Sequence, residues 1–430
     1  VRLRTIALAG CVGALALGTA ACGSDDSDNS GGSTGSSSTA STSAAASGGT
    51  VDVYSSLPLQ GASKDQTAAM VNGIQLALKE ADNKAGNITV KYESLDDSTA
   101  QAGNWDPGQT AQNARKVAQD SAAVGYIGEF NSGASAISIP ILNEAGVPQV
   151  SPANTYVGLT TDEPGSEKGE PAKYYPSGNR TYLRIVPRDT IQSKALLTLM
   201  KQDGCTKVAI ANDKDTYGAG IARLMELQAP DVGVDIVSNE GIDKSASNFR
   251  SYASKIKGQG ADCFVFDGVT ANGAVQITKD VAAALPDAKL YGPDGVCESG
   301  FTNPSKGGIP KSIGSRFQCS VATLDLDSYP GGKKFLDAYK AAYGGETPDP
   351  YAIYGYESMQ LFLDTIKGLG DKGTDKAAVL EALFATKDRD SALGTYSFDE
   401  NGDTTLTDYG IYKVGTDGNP AFDSAVKAQG

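Results

Sequence analysis

Residues 124–150 read VGYIGEFNSGASAISIPILNEAGVPQV. Val124 to Gly128 is a short apolar strand, Asn131, Ser132, Gly133 and Ala134 form a loop, Ala134 to Ala145 has the pattern of a helix, and Val147 to Val150 is the next strand. Strand, helix and strand in so short a span is the repeating unit of a parallel sheet. The same rhythm extends in both directions. Upstream, Val51 to Ser55 is a strand. Met70, Val71, Ile74, Ala77, Leu78 and Ala81 mark one face of a helix, and Ile88, Val90 and Tyr92 alternate as a strand. A helix over Thr110 to Asp120 completes the first doubly wound unit.

Downstream, the stretch from Thr160 to Asn179 is rich in Gly, Pro, Glu and Lys and reads as a long loop. The alternation then restarts, with helices at Thr190 to Gln202, Tyr217 to Ala229, Asn248 to Gln259 and Asn272 to Ala284. Between them lie strands at Val208 to Asn212, Val234 to Val237, Phe264 to Phe266 and Leu290 to Gly292. Helices over Lys333 to Tyr343, Tyr351 to Leu369 and Ala377 to Thr386 follow. Tyr396 to Phe398 and Tyr409 to Val414 are then expected to form a hairpin around Asp399 to Gly402. The fold class is α/β, with two doubly wound parallel-sheet lobes. Ligands of such folds sit beyond the carboxyl ends of the strands, which places a cleft between the lobes.

The amino-terminal end is of a different character. Arg2 and Arg4 precede an apolar run from Ile6 to Ala21 that is too short to span a bilayer, which reads as an export signal over residues 1–21. The run ends in Thr19, Ala20, Ala21 and Cys22, resembling the lipobox of bacterial lipoproteins, in which the cysteine is acylated. A similar box at Leu8 to Cys11 leaves too few apolar residues ahead of it, so Cys22 is the expected attachment point, with plain secretion after Ala21 as the alternative. Residues 22–49 are almost entirely Ser, Gly, Thr, Ala and Asp and are expected to be a flexible tether. The expected lobes are 50–188 plus 324–405, and 189–323 plus 406–430.

Composition removes whole classes of function. The 430 residues include no histidine, so no Ser-His-Asp triad, Cys-His dyad or His-ligated zinc site can be built. With 51 acidic against 37 basic residues the net charge is -14, and no nucleic-acid partner is expected. Gly218, Ala219, Gly220 and Ala222 imitate a dinucleotide fingerprint without its tight turn. Asp399, Asn401 and Asp403 imitate a calcium loop without its closing Glu, and no metal is expected. An enzyme using the carboxylates Asp213 and Asp215 has no supporting motif.

More specific strings carry a family resemblance. Leu57 to Gly61 before a helix containing Asn72, Gly73 and Ile74, then Val150 to Thr155, Asp215 to Gly218, Gly292 to Val296, and Phe398 to Asp403 occur in an order and spacing that resemble the leucine/isoleucine/valine-binding family. These are type I periplasmic binding proteins of branched-chain amino acid ABC importers. The resemblance covers about residues 50 to 420. It implies lobes joined by a multi-strand hinge, an amino acid held in the cleft, delivery to ABC permease subunits, no cofactor and no chemical step. With the lipobox it implies an extracytoplasmic protein lipid-anchored to the cell membrane. The alternative is a ligand-sensing receptor on the same fold for an amide or other small polar solute.

The family match also assigns roles. Ser132 matches the serine that binds the ligand carboxylate, and a hydroxyl beside the N-H groups of a helix start suits an anion. Ala153, Asn154 and Thr155 match the second binding loop, Tyr217 a tyrosine that closes from the second lobe, and Asp294 the acid that pairs the ammonium. Thr270 falls where the family has a second tyrosine. On the residues alone, Ser132 is a helix cap, Tyr217 a packed aromatic and Pro293-Asp294-Gly295 an ordinary turn. Besides Cys22, Cys205, Cys263, Cys297 and Cys319 are available for disulfides in an exported protein. Cys205 and Cys263 each precede a strand, the first and third of the second unit, which neighbour each other in a doubly wound sheet. Their pairing leaves Cys297 for Cys319.

Overall fold

The computed structural model describes residues 48–426. The expected leader, the lipobox cysteine Cys22 and nearly all of the tether lie outside them. Two sheets organise the chain. The first is six-stranded, in the order Lys84–Ala85, Ile88–Asp96, Thr50–Leu57, Ala123–Gly128, Gln149–Ser151, Tyr182–Arg184. All its pairs are parallel except that of the short Lys84–Ala85 strand. Strand order reverses at Thr50–Leu57, because the second strand lies on one side of it and the third on the other. The crevice of a doubly wound sheet opens at such a reversal, here beyond Leu57 and Gly128.

The second sheet has seven strands, in the order Asp235–Gly241, Lys207–Asn212, Cys263–Asp267, Lys289–Gly292, Phe317–Val321, Tyr409–Val414, Pro420–Val426. It is parallel as far as Phe317–Val321, and the last two strands are antiparallel. Its reversal lies at Lys207–Asn212, so Asp213 and Asp267 stand at the mouth of the second crevice. Parallel strands covered by helices on both faces read as unbroken apolar runs, and every residue of Ala123–Gly128 and Cys263–Asp267 is buried.

The chain passes between the sheets after Arg184, after Val321 and again before Tyr409. Between the last two passages, Gly332–Ala342 and Ala352–Leu369 return to pack on the first-lobe helix Lys64–Glu80. The contact with Ala352–Leu369 depends on two glycines. A Cβ on Gly73 would come within 2.3 Å of Ala352 O, and one on Gly355 within 2.3 Å of Met70 O. Among the described residues no helix is long and apolar enough to cross a membrane.

The expected late hairpin does not form. Gly394–Tyr396 pairs with Arg389–Ser391, Tyr409–Val414 lies between Phe317–Val321 and Pro420–Val426, and Phe398 keeps one isolated bridge to Thr404. The turn itself is present, with Asp399 Oδ1 accepting from Asn401 N and Asp403 N at 2.9 Å each. Alternation identified Tyr409–Val414 as a strand, but its partner was set by the open edge of Phe317–Val321 after the last passage between lobes. Two disulfides, Cys205–Cys263 and Cys297–Cys319, close separations of 58 and 22 residues, both in the second lobe. Cys263 is the first residue of its strand and is paired in register with Val208.

Candidate ligand site between the lobes

The first crevice is shaped by the turn from Gly128 into the helix Ser132–Ala145. Ser132 is the first helical residue and Asn131 holds the cap position, so Ser132 is not the cap. The first N-H groups of a helix have no intrahelical partner and carry the positive end of its dipole. The start of this helix, with Asn131 and Ser132, lines the cleft.

The neighbouring loop is pinned from behind. Ser151 Oγ donates to Glu129 O at 2.9 Å and accepts from Ala153 N and Asn154 N at 3.2 and 2.9 Å. Asn154 Nδ2 donates to Phe130 O at 2.8 Å, and its Oδ1 accepts from Tyr182 OH at 3.0 Å and from Ser135 Oγ. The Asn154 side chain therefore ties the two first-lobe loops together and does not face the cleft.

The second lobe supplies charge. Asp213, Asp267 and Asp294 follow or end three adjacent strands of its sheet, Lys207–Asn212, Cys263–Asp267 and Lys289–Gly292. Asp294 Oδ1 accepts from Tyr217 OH at 2.5 Å and from Gln192 Nε2 at 2.8 Å, and Oδ2 accepts from Tyr351 OH at 3.0 Å. Burial raises the Asp294 carboxyl above its ordinary range, against the lowering effect of those donors. Burial, then the Asp294 charge, pushes Tyr217 far up. Asp189 and Asp267 are fully buried and raised by burial first, and each then feels a neighbouring carboxylate, Asp294 for Asp189 and Asp189 for Asp267. Burial, with the Asp215 charge, pushes Asp213 up to about 6. The buried cation nearest this group in sequence, Arg184, is committed elsewhere: its Nε lies 2.6 Å from Asp403 Oδ1 and its Nη1 donates to Tyr156 O at 2.7 Å.

These surfaces enclose one small cavity of about 20 Å³, lined by Phe130, Asn131, Ser132, Ala153 and Thr155 from the first lobe and Tyr217, Val269, Asp294 and Gly295 from the second. That is room for about one water, so the lobes stand closed on each other. Of the residues expected from sequence, the structure brings Ser132, Ala153, Thr155, Tyr217 and Asp294 together. It leaves out Asn154 and Thr270. Thr270 Oγ1 donates to Gly295 O at 3.3 Å, and the adjacent Val269 takes the lining position. Gln192 and Tyr351, which hold Asp294, were not expected. Each lies on or beside a helix whose spacing marks only a packed face.

A second polar contact joins the lobes beside the cleft. Ser63 Oγ donates to Glu298 Oε1 at 3.2 Å, and burial pushes Glu298 up to about 7.

Two crevices facing each other across three interlobe passages, one lined by a helix start and the other by acids, define a two-lobed solute-binding protein. The sequence pattern of the periplasmic binding protein family matches residues 28–419, and the chain belongs to that family. It is 25% identical over 334 residues to an amino acid binding protein of Pseudomonas aeruginosa, covering 77% of this chain and 81% of that one. It is also 25% identical over 350 residues to that organism's leucine-, isoleucine-, valine-, threonine- and alanine-binding protein, covering 79% and 83%. Among solved structures, a leucine binding protein of Thermotoga maritima superposes with a TM-score of 0.73 at 21% identity, covering 88% of this chain and 99% of that one. A solute binding protein of Rhodopseudomonas palustris in complex with p-hydroxybenzoic acid gives 0.72 at 19%, covering 89% and 98%. The structural likenesses establish the fold, and the fold alone accommodates chemically different acids.

Proposed function

We propose that this protein captures a free amino acid between its lobes and delivers it to an ABC importer, without any chemical step. The observation that carries the reading is the pairing across one cavity of a helix start with Ser132 on one side and Asp294 on the other. A carboxylate suits the first and an ammonium the second, and an α-amino acid carries both on one carbon. Ala153 and Thr155 complete the head-group site, and Tyr217 closes over it while holding Asp294. Cys22 anchors the protein outside the cytoplasm through a lipid, with the Ser/Gly-rich segment as a tether to the membrane surface where the permease subunits lie. The curated relatives named for amino acids support this reading.

Calorimetric titration of the protein with the proteinogenic amino acids, benzoate and 4-hydroxybenzoate tests the proposal. Binding of at least one amino acid, lost when its amino group is acetylated, is the expected result. Binding of the aromatic acids alone would overturn it.

A further inference from the structure

One side chain lining the cleft has no task in the head-group site. Asn131 occupies the cap position of the helix Ser132–Ala145 with φ -93° and ψ 134°, the geometry in which asparagine is among the best caps. It makes no capping bond. The residue is 7% exposed and lines the cavity next to Ser132, and its Oδ1 is buried with no hydrogen-bond partner among the described residues. Buried amide oxygens without a donor are uncommon in native proteins, because each forfeits its hydration without replacement.

Two neighbouring polar groups are already engaged. Phe130 O is taken by Asn154 Nδ2, and on the facing lobe the Thr270 hydroxyl donates to Gly295 O. Of the other lining side chains, Phe130, Ala153 and Val269 offer no donor, and the Ser132 and Thr155 hydroxyls belong to the head-group site.

We infer that Asn131 reads the side chain of the bound amino acid, and that the ligand is a small α-amino acid whose side chain ends in a hydroxyl or a carboxamide. The inference rests on the amino-acid reading above and narrows it. A hydroxyl or carboxamide donates to Oδ1 and accepts from Nδ2. An aliphatic side chain leaves the Asn131 amide unpaired in a closed cavity, and an ionised one finds no counter-charge among Phe130, Ala153 and Val269. A site built to hydrogen-bond a polar group rejects an isostere lacking it far more strongly than an apolar pocket rejects the reverse change.

Two isosteric pairs test this. The whole protein is titrated with L-threonine against L-valine, and with L-asparagine against L-leucine. In at least one pair the polar member should bind at least ten times more tightly, and Asn131→Leu should remove that preference without lowering the melting temperature of the ligand-free protein. Because the wild-type comparison stands alone, a variant that fails to fold does not spoil the test. If the apolar member binds more tightly in both pairs, or if Asn131→Leu folds and keeps the preference, the inference fails and the amino-acid reading stands. If no amino acid binds and another solute does, the amino-acid reading fails and takes the inference with it.

Discussion

The two walls of the cleft recognise their ligand by opposite means. The first-lobe wall is neutral: a helix start, the Ser132 and Thr155 hydroxyls and an asparagine, backed by a web of uncharged hydrogen bonds through Ser151 and Asn154. The second-lobe wall gathers carboxyl groups at strand ends in a region where burial raises each of them, with Asp294 held by three uncharged donors. A neutral wall of oriented dipoles is complete before the ligand arrives and loses less when one member is removed, because the other donors stay in place. A wall of buried acids is costly until a cation arrives, so its selectivity is concentrated in a single contact.

That contrast is tested most severely at Asp294. Asp294→Ala should weaken amino-acid binding by about two to four orders of magnitude, because an ammonium closed into the cleft without its partner costs about 3 to 5 kcal/mol. Calorimetry measures this directly, and an unchanged affinity would remove the second wall from the site.

The walls also differ in how they are braced, since both disulfides lie in the second lobe. Replacing Cys205 and Cys263 by Ser opens a 58-residue loop, worth about 4 kcal/mol in the chain-entropy model. Hydrogen exchange should show protection lost in the second-lobe strands and kept in the first.

Ser132→Ala probes the neutral wall. It removes one hydrogen bond to a charged carboxylate and leaves the helix N-H groups in place, at a cost of about 1.5 to 3 kcal/mol. The loss should fall below that of Asp294→Ala under the same titration, and the reverse order would invert the comparison.

A pH dependence of stability belongs to the acidic side. Glu298 is raised from 4.5 to about 7 and Asp213 from 3.8 to about 6. Both hold protons in the folded state that the unfolded chain has released. Their contribution to stability is therefore fully present below the unfolded values and is lost as pH rises through the folded ones. Urea unfolding should give a lower midpoint at pH 8 than at pH 5, and Glu298→Gln should reduce the difference.

Much of this was legible in the sequence, for a physical reason. Strands buried on both faces, such as Ala123–Gly128 and Cys263–Asp267, leave apolar runs bounded by loops, and the site residues Ser132, Ala153, Thr155, Tyr217 and Asp294 lie just beyond strand ends where such folds bind ligands. Tyr182–Arg184 is three residues long, too short for a period. Phe317–Val321 and Pro420–Val426 carry polar residues and are defined by neighbours distant in sequence. Gln192 and Tyr351 act from helical segments where the pattern records burial and not direction. Asn131 reads only as part of the loop before a helix, with Ser132 as the cap, and its missing hydrogen bond in the structure is what sets it apart. Asn154 was misplaced because a binding loop has an inner and an outer face that spacing does not distinguish.

The return of the chain to its first lobe has a consequence for the order in which the protein can be built. The helix Lys64–Glu80 buries Met70, Gly73 and Ile74 against Ala352–Leu369, which is made some 270 residues later, after the whole parallel part of the second sheet. A nascent chain ending between Cys319 and Ala352 therefore carries an unclosed first lobe with an apolar helix face uncovered, while its second lobe already has all four of its disulfide cysteines. Completion of the amino-terminal half waits on the carboxyl-terminal third.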